Sequence, residues 1–112
     1  SYNDLLKITF NASLGANEGV TKLSGASFVY LCAEATLNDG TTISVCDMSD
    51  KTALNFVGND IWEVTIWPKD IFSLNSADQI SMITYNFQDQ NGNNVVRDFS
   101  TGEDFTMFAS CQ

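Results

Sequence analysis

The stretch Ile61-Trp62-Glu63-Val64-Thr65-Ile66-Trp67 decides how the chain is read. Side chains of a strand alternate between two faces, so Trp62, Val64 and Ile66 fall on one side and Glu63, Thr65 and Trp67 on the other. The first set is apolar throughout and belongs in a core. The second sets an indole beside a carboxylate and a hydroxyl, which suits a wet surface gripping a flat ligand or, alternatively, packing at the rim of a sandwich. Pro68 ends the strand because it has no amide hydrogen to give a ladder.

Outward from this strand the same alternation recurs. Residues 5–10 place Leu6, Ile8 and Phe10 on one face, and residues 79–88 place Ile83, Tyr85 and Phe87 opposite Met82, Thr84, Asn86 and Gln88. Residues 26–36 and 41–47 flank Asn38-Asp39-Gly40, a hairpin turn signal. Centring the hairpin on Asp39 sets Thr36 against Thr42, Ala35 against Ile43 and Ala33 against Val45. Cys32 then faces Cys46 at a separation that a disulfide spans. The pairing expected is Cys32–Cys46, with two reduced, packed thiols as the alternative, and Cys111 is left over. Residues 12–25, with three glycines, read as a long loop. Residues 55–57 read as a short strand, 71–74 as an irregular apolar plug, 95–99 as the second arm of a hairpin turned at Asn91-Gly92, and 104–109 as a closing strand. About eight short strands separated by turn signals describe an all-β, antiparallel β-sandwich, jelly-roll-like, with residues 1–112 as one domain.

Composition narrows the function. Five basic residues against fourteen acidic ones give a formal charge of −9, which repels nucleic acid and anionic membranes. No apolar run is long enough for a membrane helix, and no leader pattern opens the chain. Histidine is absent, which removes Ser-His-Asp and Cys-His chemistry, and two cysteines without CxxC spacing make a poor zinc site. Glu34 and Glu63 supply carboxylates of the kind a glycosidase pairs, but a small sandwich has little depth to exclude water, so no enzyme is expected.

Pyranose rings present C–H groups that stack on aromatic faces, and their hydroxyls take amide, carboxylate and guanidinium partners. Trp67, Tyr30 and Tyr85 are the candidates for stacking, Tyr85 with a competing core role beside Ile83 and Phe87. Glu34, Asn86, Gln88 and Arg97 are the candidates for hydroxyl contacts. Oxygen-ligated calcium draws on carboxylates; Asp47 and Asp50 share one loop and Asp104 lies near the end, though no EF-type loop exists.

Residues 8–15, Ile-Thr-Phe-Asn-Ala-Ser-Leu-Gly, and residues 83–92, Ile-Thr-Tyr-Asn-Phe-Gln-Asp-Gln-Asn-Gly, resemble the small β-sandwich domains appended to secreted glycoside hydrolases of Bacteroidota. The resemblance implies a non-catalytic carbohydrate-binding module of a secreted bacterial protein, an attached glycoside hydrolase as partner, and one structural Ca²⁺. The expected ligand is a plant β-glucan such as cellulose or mixed-linkage glucan. An α-glucan module and a structural or protein-interaction domain are the rivals.

Overall fold

The computed structural model describes residues 5–14, 22–98 and 100–108. Eight strands and one helical turn follow in the order β1 (Leu6–Asn11), β2 (Tyr30–Leu37), β3 (Thr42–Val45), β4 (Asn55–Gly58), β5 (Ile61–Ile66), α1 (Pro68–Ile71), β6 (Ile80–Gln88), β7 (Val95–Val96) and β8 (Phe105–Phe108). They form two antiparallel sheets, one of three strands in the order β1-β5-β4 and one of five in the order β3-β2-β6-β7, with β8 also paired to β6. The architecture is therefore an all-β sandwich, divided three and five.

Local chemistry fixes the hairpin between β2 and β3. Asp39 Oδ1 accepts from the Thr41 amide at 2.9 Å, and the Gly40 amide donates to the Leu37 carbonyl at 2.9 Å. Gly40 sits at φ +89°, where a side chain would be strained. The resulting register pairs Ala33 with Val45, Ala35 with Ile43 and Thr36 with Thr42, as the turn predicts. One step further, Cys32 and Cys46 form a disulfide with their Cα atoms 4.4 Å apart.

The strand that organised the sequence reading organises the core as well. Trp62, Val64 and Ile66 of β5 are buried, and so are Ile8 and Phe10 of the adjoining β1. They meet Leu31, Ala33 and Ala35 of β2 and Ile83 and Phe87 of β6 in one apolar cluster. Phe10 and Phe87, one from each sheet, stack with ring centroids 4.3 Å apart and join the layers directly. Burial of these side chains, at roughly 1.5–3 kcal/mol each, is the main stabilising term of the sandwich.

Three departures from the sequence reading matter for the surface. Residues 71–74 do not form an irregular plug alone: Pro68 starts a helical turn in which the Asp70 and Ile71 amides donate to the Trp67 carbonyl at 2.9 Å, delivering Ile71 and Phe72 to the core. Proline suits that position because its missing N–H would have no partner there. The expected strand at 95–99 is only Val95–Val96, and β8 pairs with β6 rather than extending that hairpin, so β7 and β8 lie end to end along one edge of β6. Finally, the chain returns to β2 after β3. The Leu31 amide donates to the Thr52 carbonyl and the Leu54 amide to the Val29 carbonyl, both at 2.9 Å, before the chain enters β4 in the other sheet.

Of the long loop at 12–25, residues 15–21 lie outside the described residues, as does Cys111. The end of that loop is anchored by Leu23, which is 1 % exposed.

Candidate functional site

Trp67 continues the alternation of β5 beyond Ile66, with extended backbone at φ −107° and ψ 105°. Because Ile66 points into the core, Trp67 points away from it, and its indole is 49 % exposed. Beside it opens a cleft of about 370 Å³. The cleft exists because β4 begins at Asn55, opposite Glu63, so residues 64–66 of β5 have β1 on one side and, among the described residues, no strand on the other. The crossing segment supplies one wall through Asp50, Lys51 and Asn55; Thr65 and Trp67 supply another, and Asp70 closes the end. Lys51 and Asp70 face each other at 4.0 Å, both largely exposed. On the same outer surface Lys7 pairs with Glu63 at 3.1 Å. An aromatic wall, an amide, a hydroxyl and carboxylates around a shallow cleft can hold a polyhydroxylated ring by stacking and by hydrogen bonds.

The remaining polar candidates lie elsewhere. Tyr30, Cys32 and Glu34 of β2 face Gln88, Asn86 and Thr84 of β6 across the ladder, and all six point out of the five-stranded sheet because Leu31, Ala33 and Ala35 point in. A chain of hydrogen bonds crosses this surface. Gln88 Nε2 donates to Asn86 Oδ1 at 2.9 Å, Asn86 Nδ2 to Asp104 Oδ1 at 3.1 Å, and Arg97 Nε to the same Asp104 oxygen at 2.9 Å. Asn86 is 7 % exposed, its burial made tolerable by these partners. Glu34 accepts from Ser44 Oγ at 3.0 Å. Tyr30, Glu34, Asn86, Gln88 and Arg97 are thus brought together on one face, and Trp67 stands on the opposite face of the sandwich. Outward side chains on the two strands do not share a surface, because β2 and β5 belong to different sheets about 10 Å apart.

Tyr85 belongs to neither surface. It shares its side of β6 with Phe87, stacks on Phe105 with centroids 5.4 Å apart, and is half-buried. Burial, assisted by the nearby Asp98 carboxylate, raises its phenol above the usual 10.0. In the structure it packs at the edge of the core, the competing role that its place beside Ile83 and Phe87 predicts.

The three carboxylates considered for calcium do not fit a common ion. Asp104 is opposite Asn86 and held by Arg97, whereas Asp47 follows Cys46 at the far edge of the same sheet. Three interstrand spacings, roughly 14 Å, separate those rows, against the 2.3–2.6 Å bonds that calcium requires. Asp47 instead accepts from the Ser49 amide at 3.3 Å, and Asp50 borders the Trp67 cleft. Among the described residues no group of three or more His, Cys, Asp or Glu side chains converges.

Asn55, Thr65, Lys51 and Asp70 are the cleft residues that sequence reasoning missed. Alternation alone places Thr65 with Trp67; Asp70 is brought in by the helical turn after Trp67, and Lys51 and Asn55 depend on the crossing of the chain between sheets, which no local pattern encodes.

The family model for a domain of unknown function, DUF8578, matches residues 1–96. The chain belongs to the DUF8578 family. The match takes in β1 to β7 and all of the cleft, and stops just before Arg97. A comparison with curated proteins gives no match. Among the described residues of this DUF8578 domain, no helix is long and apolar enough to cross a membrane, and the disulfide is compatible with an extracellular protein.

Proposed function

We propose that this DUF8578 domain is a non-catalytic carbohydrate-binding module of a secreted protein. It takes a neutral plant β-glucan, such as cellulose or mixed-linkage glucan, at the Trp67 cleft, and keeps an attached glycoside hydrolase close to that polymer. The observation that carries the reading is the half-exposed indole of Trp67 forming one wall of an open cleft whose polar members are the Asn55 amide, the Thr65 hydroxyl, the Lys51 ammonium and the carboxylates of Asp50 and Asp70. A sugar ring stacked on the indole brings its equatorial hydroxyls within reach of Asn55, Thr65 and Asp70. The charge of −9 favours neutral over anionic polymers. The cleft is shallow and open to water, which suits binding and not bond cleavage. Tethering raises the concentration of the attached enzyme on the polymer.

Affinity electrophoresis in gels containing mixed-linkage glucan tests the reading. The wild-type domain is expected to be retarded and Trp67→Ala to run closer to its position in a glycan-free gel. Equal mobility of the two proteins in every gel would remove the cleft from any sugar site, and a glycan array would show whether an α-glucan is preferred instead.

A further inference from the structure

We infer that the domain carries a second, independent glycan-contacting face, centred on Tyr30 on the far side of the sandwich, so that one molecule bridges two polysaccharide chains. The inference rests on the carbohydrate-binding reading and adds a site to it. Tyr30 is half-buried on the outer surface of the five-stranded sheet, directly opposite Gln88. The row beside it is cross-connected: Gln88, Asn86, Asp104 and Arg97 are linked by hydrogen bonds of 2.9, 3.1 and 2.9 Å. Those bonds use Gln88 Nε2, Asp104 Oδ1 and Arg97 Nε. Among the described residues no hydrogen bond occupies Gln88 Oε1, Asp104 Oδ2 or the terminal guanidinium nitrogens, so each planar group keeps bonding capacity for a ligand. Groups already held in place lose little freedom on binding, which is the arrangement a hydroxyl-rich ligand needs.

The face is separate from the Trp67 cleft. Tyr30 and Trp67 point out of different sheets in opposite directions, with both inner faces and the Phe10–Phe87 stack between them. The segment carrying Asp50 and Lys51 stands at the edge that joins the two surfaces. A stiff β-linked glucan lying on one face has no short path to the other, so two chains are taken, one per face.

The test uses soluble mixed-linkage glucan with the wild-type domain, Trp67→Ala, Tyr30→Ala and the double variant, each checked for a single cooperative thermal transition well above the assay temperature. The wild type is expected to raise light scattering by cross-linking the polymer. Each single variant is expected to lose that rise but keep measurable retardation in affinity gels, and the double variant to lose both. Complete loss of retardation in Trp67→Ala would leave the cleft as the whole of the binding site and overturn the inference while leaving the proposed function standing; complete loss in Tyr30→Ala would overturn the cleft reading and the inference with it. Tyr30→Ala with undiminished scattering would overturn it too. A wild-type protein that no glycan retards would overturn the binding reading itself, and the second face with it.

Discussion

Replacing Cys32 and Cys46 by alanine together, in a Cys111→Ser background to prevent thiol exchange, opens the cross-link at the base of the β2–β3 hairpin. The two cysteines are 14 residues apart. Closing a loop of that size in the unfolded chain lowers its entropy by an amount equivalent to about 3 kcal/mol at 25 °C. The Asn38-Asp39-Gly40 turn already biases the unfolded hairpin toward closure, so the loss on removal falls to about 2–3 kcal/mol. An unfolding entropy near 2.1 cal/mol/K per residue over 112 residues comes to about 235 cal/mol/K. The melting temperature should therefore drop by about 9–13 °C. Differential scanning calorimetry of the oxidised parent and the alanine pair reads this directly. A drop of less than about 3 °C would refute the argument that the cross-link acts on the unfolded chain.

Trp62→Ala should cost about 3–5 kcal/mol, because a side chain 5 % exposed leaves a cavity between the sheets; Trp67→Ala should cost about 1 kcal/mol, since its site opens to water, and urea titration separates the two. Asp39, Asp89 and Asp98 are each held below the ordinary carboxylate value of 3.8, chiefly by the Thr41 amide, the Asn94 side chain and the Ser100 side chain respectively. Their folded-state values are depressed, so the stability they give is present above 3.8 and is lost as the pH falls below it. With no histidine to titrate, melting temperatures should be level between about pH 5 and 8 and decline in acid, as circular dichroism melts would show. Tyr85 contributes with the opposite sign: its raised phenol stabilises the fold below 10.0 and ceases to do so as the pH climbs past its folded value, which phenolate absorbance and alkaline melts would follow together. Gly40→Ala, forced to φ +89°, should cost about 1–2 kcal/mol, read by the same urea titration.

Much of the fold is legible because period-2 alternation is a strong signal where one face is buried. The inward sets of β5 and β6 follow from it, and the Asn38-Asp39-Gly40 turn fixes a register from which the Cys32–Cys46 bridge follows. Alternation says which side of its own strand a residue occupies; it does not say which sheet owns the strand. Tyr30 and Trp67 are both outward, yet outward of different sheets, a distinction that alternation does not carry. The cleft was illegible for a related reason. It depends on Thr52 and Leu54 bonding back to β2 before the chain changes sheets, a long-range choice that residues 46–55 do not announce. Arg97 and Asp104 meet Asn86 because β8 adds to β6, a pairing set by tertiary packing and not by the nearer turn.

The strand β4 has a consequence for how the molecule behaves in concentrated solution. It is four residues long, slips register between Phe56 and Gly58, and runs into Asn59 and Asp60 in left-handed backbone. So short and crooked a border gives a neighbouring copy almost nothing to zip onto. Phe56 and Val57 nevertheless stay uncovered, at 56 % and 53 % exposure, and the charge of −9 opposes contact between copies at these oily side chains. Titration toward the isoelectric point near 4.1 removes that repulsion, and turbidity should appear there first, seeded at this margin.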